Sequence, residues 1–394
     1  MPTKNKSLNN LQISRLLFDE RVRNFLSQLI IVVFIVFVGI FFVSNTISNL
    51  NERGLEPGFG FLFDPAFFDI NQRLIEYTSQ SSFGRAMLVG LLNTLLVSIL
   101  GIILATIIGF TAGILRLSNN WLVSKLVTAY VEFTRNVPVL LQIIFWWSLL
   151  TSLPKVRDSL SLSGVMFLNN RGVRLPSPIF ENNFFWIFIV FILSILISIM
   201  LYFWAKNRQK YTGKTFPVFI FNLLIIFIPI IILFSMLDQT LSWDIPKKTR
   251  FNFSGGFNIT PELFALWWAL STYTGAFISE IVRSGILSVN KGQTEAAYSL
   301  GLKQTITTRK IIMPQAMRVI IPPLTSQYLN LTKNSSLAIA IGYQDFVSVG
   351  GTILNQSGQA IEVVAIWMVV YLSLSLFTSF LMNIYNKRKA LVER

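Results

Sequence analysis

The chain has 394 residues, 53% of them hydrophobic and only 13% charged, about half the charged share of an ordinary soluble domain. That composition makes it an integral membrane protein. Lys and Arg outnumber Asp and Glu by 33 to 18 for a net charge of +15, and there is neither Cys nor His, which excludes disulfides, thiolate nucleophiles, imidazole bases and Cys/His metal sites.

A bilayer span needs roughly 20 apolar residues. Eight segments meet that need, at about 26–46, 86–115, 126–150, 183–205, 216–236, 263–288, 318–343 and 362–386. The first has an apolar run long for a signal-peptide core, and Ser44-Asn45-Thr46 offers no small-x-small cleavage site, so it reads as a retained anchor. The loop that follows carries Gly58-Phe59-Gly60-Phe61-Leu62-Phe63 and is expected to lie on the membrane surface or on neighbouring helices, because exposed apolar chain is costly in water. In the second span, Gly101, Ala105, Gly109 and Gly113 recur every four residues, a ridge that lets helices approach closely in lipid.

The third span holds Glu132, Arg135 and Gln142, whose spacing predicts one shared face, with Arg135 near mid-span. Charges at that depth face a bundle interior or a water-filled cavity. An internal Glu132–Arg135 pair that only specifies packing and a role in a solute path both fit. Loop 154–182 mixes charges and turn residues without a recognisable site. Spans four and five are almost purely apolar and read as lipid-facing. Between them, Gly213-Lys214-Thr215 is no phosphate-binding loop, since the position needing the first Gly is Arg208 and no strand precedes it.

In the sixth span, Tyr273 and Glu280 stand two turns apart and Glu280 shares a face with Arg283; in the seventh, Gln327, Asn330, Lys333, Asn334, Ser335 and Ser336 fall within ten residues, too polar for a lipid-facing helix. The eighth ends at Lys387-Arg388-Lys389. If the N-terminus is cytoplasmic, and with Arg283 and Arg318 near the inner ends of their spans counted as inner, 21 of the 33 cations lie inside and ten outside, the positive-inside bias expected with both termini inside. Cations spread in that way argue for a membrane rather than nucleic acid as the partner.

Between the sixth and seventh spans lies Glu295 to Pro314, EAAYSLGLKQTITTRKIIMP, too polar to span. Ala296, Ala297 and Leu300 give a short helical stripe, Gly301 suits a left-handed C-cap, Thr305 and Thr307 start a second helix carrying Arg309 and Lys310, and Pro314 breaks or kinks it. Composition alone also allows a plain basic loop. The stretch resembles the EAA loop of ABC-importer permeases, E-A-A-x3-G-x9-I-x-L-P, with Glu295, Ala296, Ala297, Gly301, Ile311 and Pro314 in register and Met313 replacing the usual Leu. Arg135-Asn136-Val137-Pro138 with Gln142, Thr272-Tyr273 with Glu280 and Arg283, and Lys333-Asn334-Ser335-Ser336-Leu337 are similar to signatures of polar amino-acid ABC permeases. The first span, the Gly58–Phe63 loop, Ser82-Phe83-Gly84-Arg85 and the pair at 183–236 resemble the larger permeases of general L-amino-acid importers.

This resemblance implies an all-α membrane protein with a five-helix type I importer core, an extra N-terminal helix and an inserted helix pair. The segments would be 1–25 cytoplasmic, 26–85 first helix and long periplasmic loop, 86–386 permease domain with its EAA loop at 289–317, and 387–394 basic tail. It implies a bacterial inner-membrane subunit that conducts L-amino acids beside a second, different permease, driven by two ATPase subunits and supplied by a periplasmic binding protein. No cofactor is expected on this chain, ATP and Mg belonging to the ATPase. Substrate-path candidates are Glu132, Arg135, Gln142, Tyr273, Glu280, Lys333 and Asn334. Coupling candidates are Glu295, at its helix's positive end, the docking knobs Ala296, Ala297 and Leu300, then Gly301 and Pro314. The rival is a secondary amino-acid transporter independent of ATP; no internal repeat supports it, and neither a membrane enzyme's acid-base cluster nor a channel filter is visible.

Overall fold

A computed structural model describes residues 20–52, 58–179, 184–236, 242–249 and 252–389. Most of the expected N-terminal segment, up to residue 19, and the tail from 390 lie outside the described residues. The chain forms two compact units, one of residues 1–96 and 344–394 and the other of residues 97–343.

In the first unit, α1 (Glu20–Glu52) is an apolar rod with exposed Phe, Ile and Val along its length. The start of α2 (Phe83–Leu115), then α11 (Phe346–Ser357) and α12 (Ala360–Lys389), complete its helices. The Gly/Phe-rich loop packs against helices as expected: Phe61, Ala66, Ile70 and Tyr77 join Phe83, Met87, Phe346, Val349 and Ile353 in one core. Buried Asn93 holds the loop by donating from Nδ2 to the carbonyls of Gln72 (2.7 Å) and Gln344 (2.9 Å).

The second unit is built around α7 (Pro261–Leu287), which buries Leu266, Leu270, Ile278 and Val282. The ridge on α2 meets it with almost no room. A Cβ at Gly109 would come within 2.4 Å of Ile278 and one at Gly113 within 2.7 Å of Val282, so small residues are what permits the contact.

The segment expected as a single third span is two helices, α3 (Trp121–Asn136) and α4 (Val139–Thr151), bent by 105°. The cause is Pro138, which lacks an N–H and forces Val137 to extended backbone (φ −98°, ψ 127°). Glu132, Arg135 and Gln142 therefore do not share a helix face, and Arg135 ends α3 rather than sitting mid-span.

Loop 154–182, in which the sequence shows no recognisable site, folds as a small β cap with strands from 243–248 and 253–259. Strands β1 (Leu160–Leu162), β2 (Met166–Asn169) and β3 (Gly172–Leu175) form an antiparallel sheet completed by β8 (Phe257–Ile259), with Val173 opposite Ile259. Two short pairs, β4 (Ser177–Pro178) with β5 (Trp243–Asp244) and β6 (Lys247–Lys248) with β7 (Phe253–Ser254), form separate two-stranded sheets. The inserted hairpin, α5 (Phe184–Thr212) and α6 (Val218–Met236), leaves after β4 and returns before β5. Its two ends are thus closed by the β4–β5 pair, which lets the insertion preserve the path of the chain. On α5, Ile187, Ser194, Ser198 and Ala205 are buried while α6 buries nothing among the described residues, as expected of a lipid-facing hairpin.

α8 (Lys291–Ser299) and α9 (Gln304–Thr307) follow α7, and a π-helical turn (Thr308–Ile312) runs straight into α10 (Met313–Asn334). Pro314 does not end the helix: the run stays helical from Gln304 to Ile341, and the local distortion beside the proline is the π-helical turn just before it. By length and composition five helices qualify as spans, or seven if each bent pair counts once, against the eight expected. Helix α7 is not among them although its 27 residues extend about 40 Å. Its run from Ser271 to Thr274 is too polar for lipid and is shielded by its neighbours. The fold is an all-α membrane protein carrying one small β cap.

Candidate functional site

Three arginines of the second unit converge on Glu280. Its Oε2 accepts from Arg116 at 2.5 Å and lies 3.6 Å from Arg135, and its Oε1 accepts from Arg283 at 3.1 Å. Three helices supply these groups: Arg116 follows the end of α2, Arg135 ends α3, and Glu280 and Arg283 share one face of α7 as their spacing predicted. The Arg116 side chain is only 7% exposed, while those of Arg135 and Arg283 are 39% and 38% exposed. One carboxylate thus faces three guanidiniums. Arg135 also lies over the Phe277 ring, 5.2 Å from its centre, and Phe277 in turn packs on Tyr273. Of the two readings the spacing left open, the Glu132–Arg135 pair does not form; Glu132 is exposed and Arg135 turns to Glu280.

Gln142 has a structural task. Its Nε2 donates to the carbonyls of Thr134 and Val137, both at 2.9 Å, and so satisfies acceptors stranded where Pro138 ends the ladder of α3. A cavity of about 560 Å³ opens beside this break, lined by Thr134, Gln142, Trp146, Trp268 and Thr272 among others. Tyr130 closes one side by donating to the Thr272 carbonyl at 2.7 Å. The Trp146 and Trp268 rings meet edge to face at 6.1 Å. The wall is aromatic with a few placed polar atoms, the usual make-up of a small-molecule site.

Lys333 and Asn334 end α10, where the backbone tightens to a 3-10 helix over Ser335–Ile341. Ser335 and Ser336 bond back to the carbonyls of Thr332 and Lys333, both at 2.7 Å, which is why hydroxyls crowd this stretch. Among the described residues no ion pair joins Lys333 to Glu280. Arg116 was missed from the sequence; it reads there as an ordinary basic end of a span, 164 residues from its partner.

The loop between α7 and α10 has the expected turn. Asn290 caps α8 by accepting from the Gly292 N–H at 2.8 Å. At the other end, Leu302 N–H bonds to the Ala297 carbonyl (3.1 Å) and Gly301 N–H to that of Tyr298 (2.9 Å), a Schellman motif with Gly301 at φ +73°. Ala296 and Leu300 are exposed, Leu300 at 79%, and Tyr298 stands out beside them. Ala297 is buried against its own chain and is no docking knob. Glu295 lies mid-helix rather than in the first turn, so it does not serve the helix's positive end. Gln315 bridges the elements, donating to the Ile311 carbonyl (3.1 Å) and to Gln293 on α8 (3.4 Å).

Residues 210–391 match the family model described as the inner membrane component of binding-protein-dependent transport systems. Over 380 residues, 96% of this chain and 95% of the relative, the sequence is 50% identical to the general L-amino acid transport system permease protein AapQ of Rhizobium johnstonii. The chain belongs to the amino-acid permease family of binding-protein-dependent ABC importers. It is also 41% identical over 416 residues, 97% of each chain, to the glutamate/glutamine/aspartate/asparagine transport system permease protein BztB of Rhodobacter capsulatus. A solved structure of an amino acid ABC transporter with histidines is 18% identical, with a TM-score of 0.45 over 78% of this chain and 95% of that one. As a permease subunit of an ABC importer, the chain is a transmembrane component, and ATP is hydrolysed on a separate subunit. The rival reading as an ATP-independent secondary transporter falls with that membership.

Proposed function

We propose that this permease conducts L-amino acids past the Glu280 cluster. The observation that carries the reading is the imbalance there, one carboxylate for three guanidiniums. Arg135 is the most loosely held of the three, at 3.6 Å, and is partly exposed. An amino acid's carboxylate takes Arg135 by a charge-assisted bond, and Glu280, released from that contact, faces its ammonium. Tyr273 positions Arg135 through Phe277, and Gln142 holds the backbone break open. Lys333 and Asn334 line a later part of the path, and Glu132 a solvated part of it. The names of AapQ and BztB, which refer to general L-amino acids and to glutamate, glutamine, aspartate and asparagine, support the substrate class.

Of two ATPase subunits carrying ATP and Mg, one docks on the exposed face of α8, with Ala296, Leu300 and Glu295 at the contact and Gly301 fixing the turn. Pro314 passes their motion into α10. A second permease of different sequence completes the path, and a periplasmic binding protein loads it. Both termini face the cytoplasm, in keeping with the positive-inside bias. The permease domain proper is 86–386. Arg135→Ala should lower uptake about 10- to 100-fold, the worth of one charge-assisted hydrogen bond, while the ATPase still co-purifies. Loss of assembly together with uptake would show that Arg135 only packs the bundle.

A further inference from the structure

The β cap contains a feature that solute conduction does not use. A cavity of about 860 Å³ is lined by Lys155, Val156, Arg157, Asn170, Arg171, Lys248 and Thr249, four cations and no carboxylate. The cations come from three separate stretches of chain that the sheet brings together through the β2–β3 and β3–β8 pairings and the β6–β7 hairpin. All four are exposed, and among the described residues none forms an ion pair. Lys248 is steered into place by donating to the Arg157 carbonyl. The Asn170 Oδ1 is buried in the wall without a partner. Arg174 and Lys247 add charge nearby, against Asp158 and Asp244, and Asp244 is occupied by the Gly256 N–H at 2.9 Å.

Two considerations indicate what meets this surface. Small-molecule sites are lined mainly by apolar and aromatic groups, and here Val156 is the single apolar residue among those lining it. Unpaired like charges gathered at one surface instead match an extended surface of opposite sign, which gives steering and register. The positive-inside bias also runs against such a concentration on an outer segment, so its retention points to a use. We infer that Lys155, Arg157, Arg171 and Lys248 form a docking surface for an acidic face of the soluble solute-binding protein. The inference rests on the orientation given under the proposed function, which puts the β cap outside, where that protein arrives.

The test uses the complete importer in proteoliposomes, titrated with its loaded binding protein while ATP hydrolysis is followed. In the quadruple variant Lys155→Gln, Arg157→Gln, Arg171→Gln and Lys248→Gln, the binding-protein concentration giving half-maximal stimulation should rise about tenfold or more. The maximal and unstimulated rates should stay the same, and the steep weakening of the wild type by salt should flatten. Wild-type stimulation with an unchanged half-maximal concentration and salt slope in the variant would overturn the docking surface alone. A wild type that no binding protein stimulates would overturn the importer arrangement beneath it. A defect that appears only in liposomes containing anionic lipid, at unchanged half-maximal concentration, would assign the cations to lipid headgroups and overturn the inference too.

Discussion

Replacing Glu280 by Gln keeps the shape of the side chain and removes the one negative charge that three guanidiniums share. The cost is set by Arg116, whose side chain is 7% exposed and whose Nε already lacks a partner. Stranding a buried guanidinium in this way costs about 3–5 kcal/mol. Arg135 and Arg283 are more than a third exposed, so solvent screens them and each adds roughly 0–1 kcal/mol. Adding Arg116→Gln should return most of the loss, because the uncompensated charge disappears with it. The coupling between positions 116 and 280 should then be about 2–3 kcal/mol, near the top of the range for residues in one network, and that between 135 and 280 below about 1 kcal/mol. Unfolding of the four variants of each cycle in mild detergent, followed by fluorescence-detected gel filtration, measures both. Additive effects of Arg116→Gln and Glu280→Gln would refute the reasoning, for they would mean that the two charges do not hold one another.

Gly109→Ala should cost about 1–3 kcal/mol through overpacking against Ile278, whereas Ala at exposed Gly292 should cost far less; unfolding in the same detergent compares them. Gln142→Leu leaves the Thr134 and Val137 carbonyls without their donor and should destabilise by about 1–3 kcal/mol, with faster proteolysis near Pro138 as a second readout. Gly301→Val meets no neighbour but places a β-branched residue at φ +73°, a strain of about 1–3 kcal/mol. Membrane insertion should persist while ATPase association and stimulated hydrolysis fall, and normal stimulation would count against the docking role.

The features readable in advance were those written locally. The Gly109 and Gly113 ridge needs only a spacing of four, and the Gly301 turn only a glycine after a short helix. The lipid-facing hairpin announces itself by composition. Other features depend on partners far along the chain. Arg116 and Glu280 are 164 residues apart, and nothing near either one names the other. The β cap was hidden because its strands are two to four residues long, and because β3 finds β8 only across an inserted hairpin. Pro138 is visible in the sequence, but the size of its effect is not. In an apolar run a proline can be absorbed as a mild kink; here Gln142 supplies the missing donors, so the chain can turn by 105°. Pro314, expected to break or kink its helix, leaves the run from Gln304 to Ile341 helical, with a π-helical turn beside it.

The account holds that motion of a separate ATPase enters this permease through the loop turned by Gly301 and moves amino acids past Glu280. Uptake of labelled amino acids into proteoliposomes tests it directly, comparing the complete complex supplied with ATP and loaded binding protein against this chain alone under an imposed ion gradient. Accumulation that needs every component of the first mixture and is absent from the second is the predicted result. Accumulation by the chain alone, driven by the gradient, would contradict it.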